Sequence, residues 1–373
     1  MNVAILSMQK IDNYGSVLQA YALKKMLEKF DVNVEFMDIR KIDEDYCLAQ
    51  NDTEDYSCEI EKKGGFSKIP KTDKFFCNRV RNILYSKLKA YSFEEFRKEQ
   101  LDIGMTKKKY DLCIIGSDEV FNCLNTQWWG FTSQLFGNIP EAEHIITYAA
   151  SCGATCYENV PEVVQKKIRK TFERVDSFSV RDENTYEFVE KLTDKKVINN
   201  LDPVLIYDFD SEISKTVLKK LPKRYCVIYA YDNRIHQEEE IEAIINFCNK
   251  NNLEPITVGG GQYWCKKNII CSPFECLAIF KKAEFVITDT FHGTIFSAKY
   301  ASRFAVVERK SNTNKLGDLI NRLGLNKHLV YKLSDINTDM DKYCKDAKAV
   351  NQIITEERKK TFEYLKGNIL RYE

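Results

Sequence analysis

The sequence predicts an α/β protein made of two Rossmann-like domains that face each other across a cleft. Short apolar runs alternate with amphipathic segments, which is typical of βαβ units in a parallel sheet. The chain has 373 residues, too many for one typical core. A polar, lysine-rich stretch near 208–223 separates about five strand–helix units from about four more. We therefore expect an N-terminal domain over 1–207 and a C-terminal domain over 208–373.

The elements of the first domain follow from apolar runs and helical spacing. Strands are predicted at 2–7, 32–39, 110–115, 144–151 and 178–180, with a further apolar run at 197–200. Helices are predicted up to about residue 30, at 75–101, at 161–175 and up to 192. The polar, patternless stretch 40–74 reads as a long loop or an excursion from the core.

The second domain shows the same alternation. Strands are predicted at 225–231, 254–258, 285–288 and 304–307. Helices are predicted at 241–249, from the capping box at Ser272 to about residue 282, from about Thr294, after Lys315, and in the charged tail from Asp339. Residues 284–315 are thus predicted to form one βαβ unit, which contains His292.

Composition and charge exclude several classes of protein. An apolar content of 44% and a charged content of 30% are ordinary for a globular protein. A net charge of +1, without a basic block, gives no reason to expect nucleic-acid binding. The first residues lack a signal-peptide pattern, and no stretch is apolar enough to span a membrane. We expect a cytoplasmic protein, and contact with a membrane surface stays open.

The cysteines indicate reduced thiols rather than disulfides or a metal site. There are thirteen of them, an odd number, and no CxxC pair occurs. Because no ligand constellation for a metal is visible, we expect activity that persists in a chelator.

Polar residues follow the predicted strands in both domains, where ligands bind in open α/β sheets. They are Asn13, Gly15 and Ser16 after the first strand, Asp118 and Glu119 after the third, Arg181 after the fifth, and His292 at the end of the predicted loop 289–292. The helix predicted from about Thr294 would offer backbone N–H groups to a phosphate, and Gly293 would let the phosphate approach closely.

Most of these residues also have a structural explanation. His292 could be hydrogen-bonded in its loop, Arg181 could form an ion pair with Asp182 or another acid, and Asp118 could cap the next helix. The segment Asn13–Gly15 could be only a turn. Two further features stay open in the same way: Asp289 orients His292 or caps the helix after it, and the glycines at 259–261 hold a phosphate or form a plain loop.

A series of motifs, in order along the chain, resembles the polysaccharide pyruvyl transferase family. The motifs are Asn13-Tyr14-Gly15-Ser16 followed by LQAYAL, Gly116-Ser117-Asp118-Glu119-Val120-Phe121, Tyr148-Ala149-Ala150-Ser151-Cys152-Gly153, Ser179-Val180-Arg181-Asp182, Leu201-Asp202-Pro203-Val204 and Thr288-Asp289-Thr290-Phe291-His292-Gly293. Three positions depart from the family pattern: Ser16 stands where Asp is frequent, Glu119 where Gln is frequent, and Phe121 where Trp is expected.

The resemblance implies a GT-B-like fold and a pyruvyltransferase reaction. Studied members transfer the carbon skeleton of phosphoenolpyruvate onto two sugar hydroxyls, forming a cyclic pyruvate ketal and releasing phosphate. The partners implied are phosphoenolpyruvate and a sugar or lipid-linked oligosaccharide acceptor, with no cofactor. Two alternatives stay open: a GT-B glycosyltransferase that uses a nucleotide sugar, and a non-catalytic, glycan-binding relative.

Ketal formation assigns expected roles to these residues. Histidine titrates near neutral pH, so His292 is the candidate general acid, with Arg181 and Asp118 as further catalytic residues. The expected donor-binding residues are Gly293, Thr294, Lys315 and Arg181. The expected acceptor-binding residues are Asn13, Gly15, Ser16 and Glu119. Lys315 matches a lysine of the family, although Arg309 and Lys310 are close rivals for binding phosphate.

Overall fold

A computed structural model describes residues 1–42, 73–103, 109–125, 129–218, 221–309 and 313–372, with the side chains of 73–84 and 313–314 left aside. Within these ranges the chain forms two six-stranded sheets whose paired strands are all parallel. The predicted α/β class with two Rossmann-like halves is therefore confirmed. The predicted excursion 40–74 lies almost entirely outside the described residues.

The first sheet has the strand order β2-β1-β3-β4-β5-β6. Its strands are β1 (Asn2–Leu6), β2 (Asn33–Met37), β3 (Tyr110–Asp118), β4 (Ala142–Ala150), β5 (Phe178–Val180) and β6 (Val197–Asn199). The helices of this half are α1 (Tyr14–Leu27), α2 (Asp73–Phe96), α3 (Glu162–Phe172), α4 (Glu183–Glu190), α5 (Pro203–Ile206) and α6 (Asp210–Ser214). Because the chain leaves β1 on one side and returns as β3 on the other, the order reverses between these two strands.

The second sheet has the strand order β12-β11-β10-β7-β8-β9, and it reverses between β7 and β10. Its strands are β7 (Tyr225–Ala230), β8 (Glu254–Gly259), β9 (Lys267–Asn268), β10 (Phe285–Thr288), β11 (Phe304–Val307) and β12 (Leu329–Val330). Its helices are α7 (Glu238–Lys250), α8 (Pro273–Lys282), α9 (Phe291–Tyr300), α10 (Thr313–Arg322) and α11 (Ala347–Tyr372). Such reversals leave a crevice at the carboxyl ends of the strands, where ligands bind in doubly wound folds.

The two halves share one buried apolar cluster, so they pack as neighbours rather than as separate bodies. Aromatic rings of α1 and of the helix of 73–96 meet Phe274 of α8, with ring centroids 5.0 Å from both Tyr21 and Phe96. The hydroxyl of Tyr14 donates to the carbonyl oxygen of Cys271 at 2.9 Å. These contacts bring the start of α1 against the second half.

The last helix, α11, returns to the first half. Tyr364 donates its hydroxyl to the carbonyl oxygen of Thr147 in β4 at 2.8 Å, and Arg358 Nε donates to the carbonyl oxygen of Ile206 at 2.8 Å. The sequence-based division of the chain into 1–207 and 208–373 stays a prediction. The tail predicted as a helix from Asp339 forms a short 3-10 helix at Met340–Tyr343 and becomes α-helical at Ala347.

Several short elements escaped the sequence analysis. The strands β9 and β12 have two residues each, and the helices α5 and α6 have four and five. Elements this short show no periodicity, so only their tertiary partners define them. Among the described helices, none combines the length and the apolar character that crossing a membrane requires.

Candidate active site

The start of α1 is built against the loop after β3. Asn13 is the N-cap of α1, and its Oδ1 accepts from the backbone N–H of Gly15 at 2.8 Å. In the first turn of the helix, Ser16 donates its hydroxyl to Oδ2 of Asp118 at 2.6 Å. The predicted acceptor residues of the first loop therefore serve the helix start and the positioning of Asp118.

Asp118 is the last residue of β3 and is almost fully buried. Its backbone has φ of +80°, a left-handed conformation that few residues other than glycine adopt. Backbone conformations of this kind persist where the surrounding structure enforces them, and they cluster at functional sites. Asp118 caps no helix, because the described residues that follow it form turns, so that structural alternative is wrong.

Arg181 lies at the centre of the site, directly after β5, with only 3% of its surface exposed. Its Nη1 is 2.9 Å from Oδ2 of Asp202 and 3.8 Å from Oδ1 of Asp118. Its guanidinium carbon lies 4.3 Å from the ring centroid of Phe291, which comes from the second half. Its buried Nε has no hydrogen-bond partner among the described residues.

The structural alternative for Arg181, an ion pair with Asp182 or another acid, is confirmed in its second form, because the partners are Asp202 and Asp118 rather than Asp182. Asp182 is the N-cap of α4, where its Oδ1 accepts from the backbone N–H of Thr185, and its Oδ2 accepts from the hydroxyl of Ser151. Its side chain is thus used by the local structure of the first half.

His292 reaches the same place from the second half. The predicted loop 289–292 is shorter than expected, because Thr290 is the N-cap and α9 begins at Phe291, three residues before Thr294. His292 is therefore in the first turn of α9, 9% exposed, with its Nε2 3.4 Å from Oδ2 of Asp202. This contact is an ion pair rather than a hydrogen bond, and the buried Nε2 of His292 has no hydrogen-bond partner among the described residues.

The imidazole of His292 also touches the start of α1. A Cβ atom added to Gly15 would lie 2.0 Å from Cγ of His292, so only glycine leaves room for the ring. The glycine in the first motif thus permits the two halves to approach each other at the catalytic histidine predicted from the sequence.

Asp202 joins Arg181 and His292, although no role for it was predicted from the sequence. It is fully buried, follows β6, and caps α5 through the backbone N–H of Val204. Burial by itself raises the pKa of this carboxyl group, but the contacts with His292 and Arg181 outweigh burial and bring the pKa below its ordinary value. The available signal was its place in the Leu201-Asp202-Pro203-Val204 motif, directly after an apolar run.

A second connection between the halves lies beside this cluster. Lys315 of α10 donates to Oε1 of Glu119 at 2.5 Å, while Asn122 donates to Oε2 of Glu119 at 2.7 Å. Burial raises the pKa of Glu119, yet the charge and hydrogen bond of Lys315 outweigh burial and lower that pKa to about 2. Burial by itself lowers the pKa of Lys315, but the negative charge and hydrogen bond of Glu119 have the larger effect and raise that pKa above its ordinary value.

Gly293 and Thr294 are in α9 and serve its local structure. The N–H of Gly293 donates to Oγ1 of Thr290 at 3.0 Å, and the N–H of Thr294 donates to the carbonyl oxygen of Thr290 at 3.1 Å. A Cβ atom on Gly293 would lie 2.0 Å from Oγ1 of Thr288, so this glycine is required for packing. Their donor-binding role stays a prediction, since these two N–H groups are already engaged.

Asp289 does neither of the things considered from the sequence. It does not cap α9, because Thr290 does, and the carboxylate at His292 is Asp202. Instead Oδ2 of Asp289 lies 3.1 Å from Nε of Arg234 and 3.2 Å from Nε of Arg309. Asp289 therefore connects the segments after β7 and β11.

The structure thus brings His292, Arg181, Asp118 and Ser16 into one connected cluster, with Gly15 in contact and the Lys315–Glu119 pair beside it. Positive and negative side chains alternate, which suits a site that binds an anion and also takes protons from hydroxyls. Among the described residues, no group of three or more His, Cys, Asp or Glu side chains is arranged to hold a metal ion.

The chain is similar to known proteins in its family and in its fold. The family model of the polysaccharide pyruvyl transferases matches residues 13–311 of the chain. None of the curated proteins compared with the chain gives a significant match.

Three solved structures illustrate the likeness in fold. A UDP-N-acetylglucosamine 2-epimerase from Rickettsia bellii is 13% identical with a TM-score of 0.47, covering 100% of this chain and 95% of that one. The Methanocaldococcus jannaschii UDP-GlcNAc 2-epimerase, in complex with UDP-GlcNAc and UDP, is 11% identical with a TM-score of 0.46, covering 95% and 99%. The calicheamicin glycosyltransferase CalG4 is 12% identical with a TM-score of 0.43, and the match covers 100% of this chain and 98% of that one.

Replacing Gly15 by alanine should disturb the junction between the halves. The new methyl group would collide with the ring of His292, so we expect Gly15→Ala to lower the free energy of unfolding by about 1–3 kcal/mol. Urea denaturation measures this. Gly317→Ala is the control: this helical glycine has nothing within 4 Å of an added Cβ, and we expect a gain of up to about 1 kcal/mol. An unchanged Gly15→Ala variant would contradict the close contact.

The ion pair between the halves should give a pH-dependent stability. Because the folded-state pKa of Glu119 is depressed to about 2, its contribution is complete above the unfolded value of about 4.3 and is lost as the pH falls toward 2. We expect Glu119→Gln to cost about 1–3 kcal/mol at pH 7 and less at pH 3, by urea denaturation at both pH values. Glu162→Gln, which removes an exposed pair with Lys166, should change little. Equal losses for Glu119→Gln at both pH values would refute the assignment.

Proposed function

Because the chain belongs to the polysaccharide pyruvyl transferase family, we propose that it transfers the three-carbon skeleton of phosphoenolpyruvate onto two hydroxyls of a sugar. The products are a cyclic pyruvate ketal and inorganic phosphate. The observation that carries the proposal is the meeting of Arg181 and His292, from different halves of the chain, at the buried carboxylate of Asp202.

The reaction requires an acid, cations and a proton acceptor. A proton added to the methylene carbon of the donor makes the methyl group of the ketal, and the neighbouring carbon gains oxocarbenium character. One sugar hydroxyl attacks that carbon and loses its proton, the bond to phosphate breaks, and the second hydroxyl loses its proton as it closes the ring. Of the two protons released, one restores the acid and the other leaves with the phosphate. Such a site works by holding these groups in place before the charges develop.

His292 is the acid in this proposal. Its ring is nearly buried, lies at the carboxyl edge of the second sheet, and is fixed between Gly15 and Asp202. A fixed ring can deliver its proton to one carbon atom of a bound donor with little loss of orientation. Asp202 does not touch the donor and acts as a positioning residue for the imidazole of His292 and the guanidinium of Arg181.

Arg181 binds the anionic donor in this proposal. The carboxylates of Asp118 and Asp202 both approach Nη1 of Arg181, whereas its buried Nε has no hydrogen-bond partner among the described residues. A guanidinium offers five N–H donors in a planar fork, so an incoming carboxylate or phosphate can bind it bidentately beside Asp202. Lys315, whose charge interacts with that of Arg181, can take the leaving phosphate if it exchanges Glu119 for the donor.

Asp118 accepts the proton of the attacking hydroxyl. Its Oδ2 is fixed by Ser16, while its Oδ1 faces Arg181 at 3.8 Å, which is too long for a strong hydrogen bond. An oxygen held in this way has remaining acceptor capacity. Glu119, when released from Lys315, can serve the second hydroxyl.

Replacing His292 should separate folding from chemistry. We expect His292→Ala to fold and to lose at least about 100-fold in the rate of phosphate release from phosphoenolpyruvate with purified oligosaccharides, because the proton donor is gone. His144→Ala, at a histidine stacked on Tyr372 away from the cluster, should keep the wild-type rate. Near-normal turnover in folded His292→Ala would reject the acid assignment.

Replacing Arg181 should weaken donor binding first. Arg181→Lys keeps the charge that Asp118 and Asp202 need but removes the planar fork. We expect calorimetry to show phosphoenolpyruvate binding weakened by about 10-fold or more, with the exposed Arg169→Ala variant unchanged. Wild-type affinity in Arg181→Lys would contradict a bidentate role.

Thermal-shift measurements distinguish the proposal from its two rivals. Protection by phosphoenolpyruvate, followed by phosphate release with an oligosaccharide, is the expected result. Protection by a nucleotide sugar alone would favour a glycosyltransferase. Saccharide binding without protection by either donor would favour a non-catalytic protein.

A further inference from the structure

Tyr231 stands at the reversal point of the second sheet. It is the first residue after β7, and β7 pairs with β10, the strand that leads to His292. The register sets Tyr229 opposite Thr288, so Tyr231 lies beside the turn from β10 into α9. Although the strand before it is buried, 52% of Tyr231 is exposed.

The exposed ring lies where the second half meets the first, because the neighbouring turn leads into Phe291 and His292, which contact Arg181 and Gly15. Burial by surrounding protein raises the pKa of the Tyr231 hydroxyl, the charge of Lys315 lowers it, and the charges of Glu119 and Asp118 raise it further. These are side chains of the cluster described above, and two of them belong to the first half. The Tyr231 hydroxyl is therefore within electrostatic range of the Asp118–Glu119 loop.

The backbone beneath Tyr231 is fixed by hydrogen bonds between two loops. Gln262 Nε2 donates to the carbonyl oxygen of Tyr231 at 2.8 Å, and the N–H of Gly261 donates to Oδ1 of Asp232 at 2.7 Å. A Cβ atom on Gly260 would lie 2.3 Å from the carbonyl carbon of Tyr231. The glycine run at 259–261 thus allows a close approach of two loops, and no phosphate is needed to explain it.

Arg234 also supports the ring, with its guanidinium over one ring face. The guanidinium carbon of Arg234 lies 5.4 Å from the centroid of Tyr231, and its Nε lies 3.1 Å from Oδ2 of Asp289. Asp289 is buried and immediately precedes Thr290, the N-cap of α9. The orientation of the Tyr231 ring is therefore tied to the element that carries His292.

We propose that Tyr231 is a stacking platform for the pyranose ring of the acceptor. The apolar C–H face of a pyranose matches an exposed aromatic face, while its hydroxyl edge requires hydrogen-bond acceptors. Tyr231 provides the aromatic face. The carboxylates of Asp118 and Glu119, which lie within electrostatic range of the Tyr231 hydroxyl, provide the acceptors. A platform fixed before binding loses little entropy when the sugar arrives.

This inference rests on the proposed function for the chemistry of the acceptor, and it extends the predicted acceptor site. Asn13, Gly15 and Ser16 are engaged with α1, His292 and Asp118. A sugar stacked on Tyr231 would instead bridge the second half and the Asp118–Glu119 loop. Its hydroxyls would then be held near His292.

The test measures saccharide binding without the donor. The probes are methyl β-D-galactopyranoside, methyl β-D-glucopyranoside and methyl α-D-mannopyranoside, observed by saturation-transfer NMR on the full-length protein. We expect at least one probe to bind wild type through C–H protons of one ring face, Tyr231→Ala to weaken it by at least about 5-fold, and Tyr231→Phe to stay within about 2-fold. Tyr91→Ala is the matched control, because Tyr91 is an exposed tyrosine that bonds to Glu95 within its own helix.

The outcomes separate this inference from the proposed reaction. Equal binding by folded Tyr231→Ala and wild type, or binding of none of the three probes by wild type, would overturn the platform. Binding that depends on the Tyr231 ring, in a wild-type protein that releases no phosphate from phosphoenolpyruvate, would support the platform and reject the reaction. Circular dichroism of each variant excludes misfolding as the cause.

Discussion

The buried carboxylate of Asp202 is the constraint on which the rest of the site depends. A charge removed from water costs several kcal/mol unless it is paired and hydrogen-bonded. Asp202 finds one partner, Arg181, in its own half and another, His292, in the second half. The carboxylate therefore fixes two functional side chains at once, and it is satisfied only when the two halves are correctly packed.

Several other contacts at the site also form only when the two halves are packed together. Gly15 gives space to His292, Phe291 covers Arg181, and Lys315 neutralises Glu119. Each contact joins an element at the reversal point of one sheet to an element of the other half. A cleft assembled in this way holds its reactive groups with little freedom, which electrostatic catalysis requires.

The same pairing has a consequence for ligand binding. The cations of the cluster already contact protein carboxylates, so an anionic donor must share or replace those partners. Arg181 can share, because its fork has further N–H groups, whereas Lys315 must exchange Glu119. In the proposed reaction, this exchange would release Glu119 toward the acceptor as the donor binds, coupling the two substrates through one ion pair.

The sequence by itself determined the α/β class, the alternation of elements and the strand-end positions of Asp118, Arg181 and His292, because periodicity and strand-end loops are local features. It did not determine the partners of these residues. Asp202, Tyr231 and the Asp289 link between Arg234 and Arg309 depend on side chains far apart in the chain, as do the two-residue strands β9 and β12. Only the packing of two sheets brings such groups within hydrogen-bond distance, so the tertiary structure decided which carboxylate meets the histidine and which aromatic ring lies where the two halves meet.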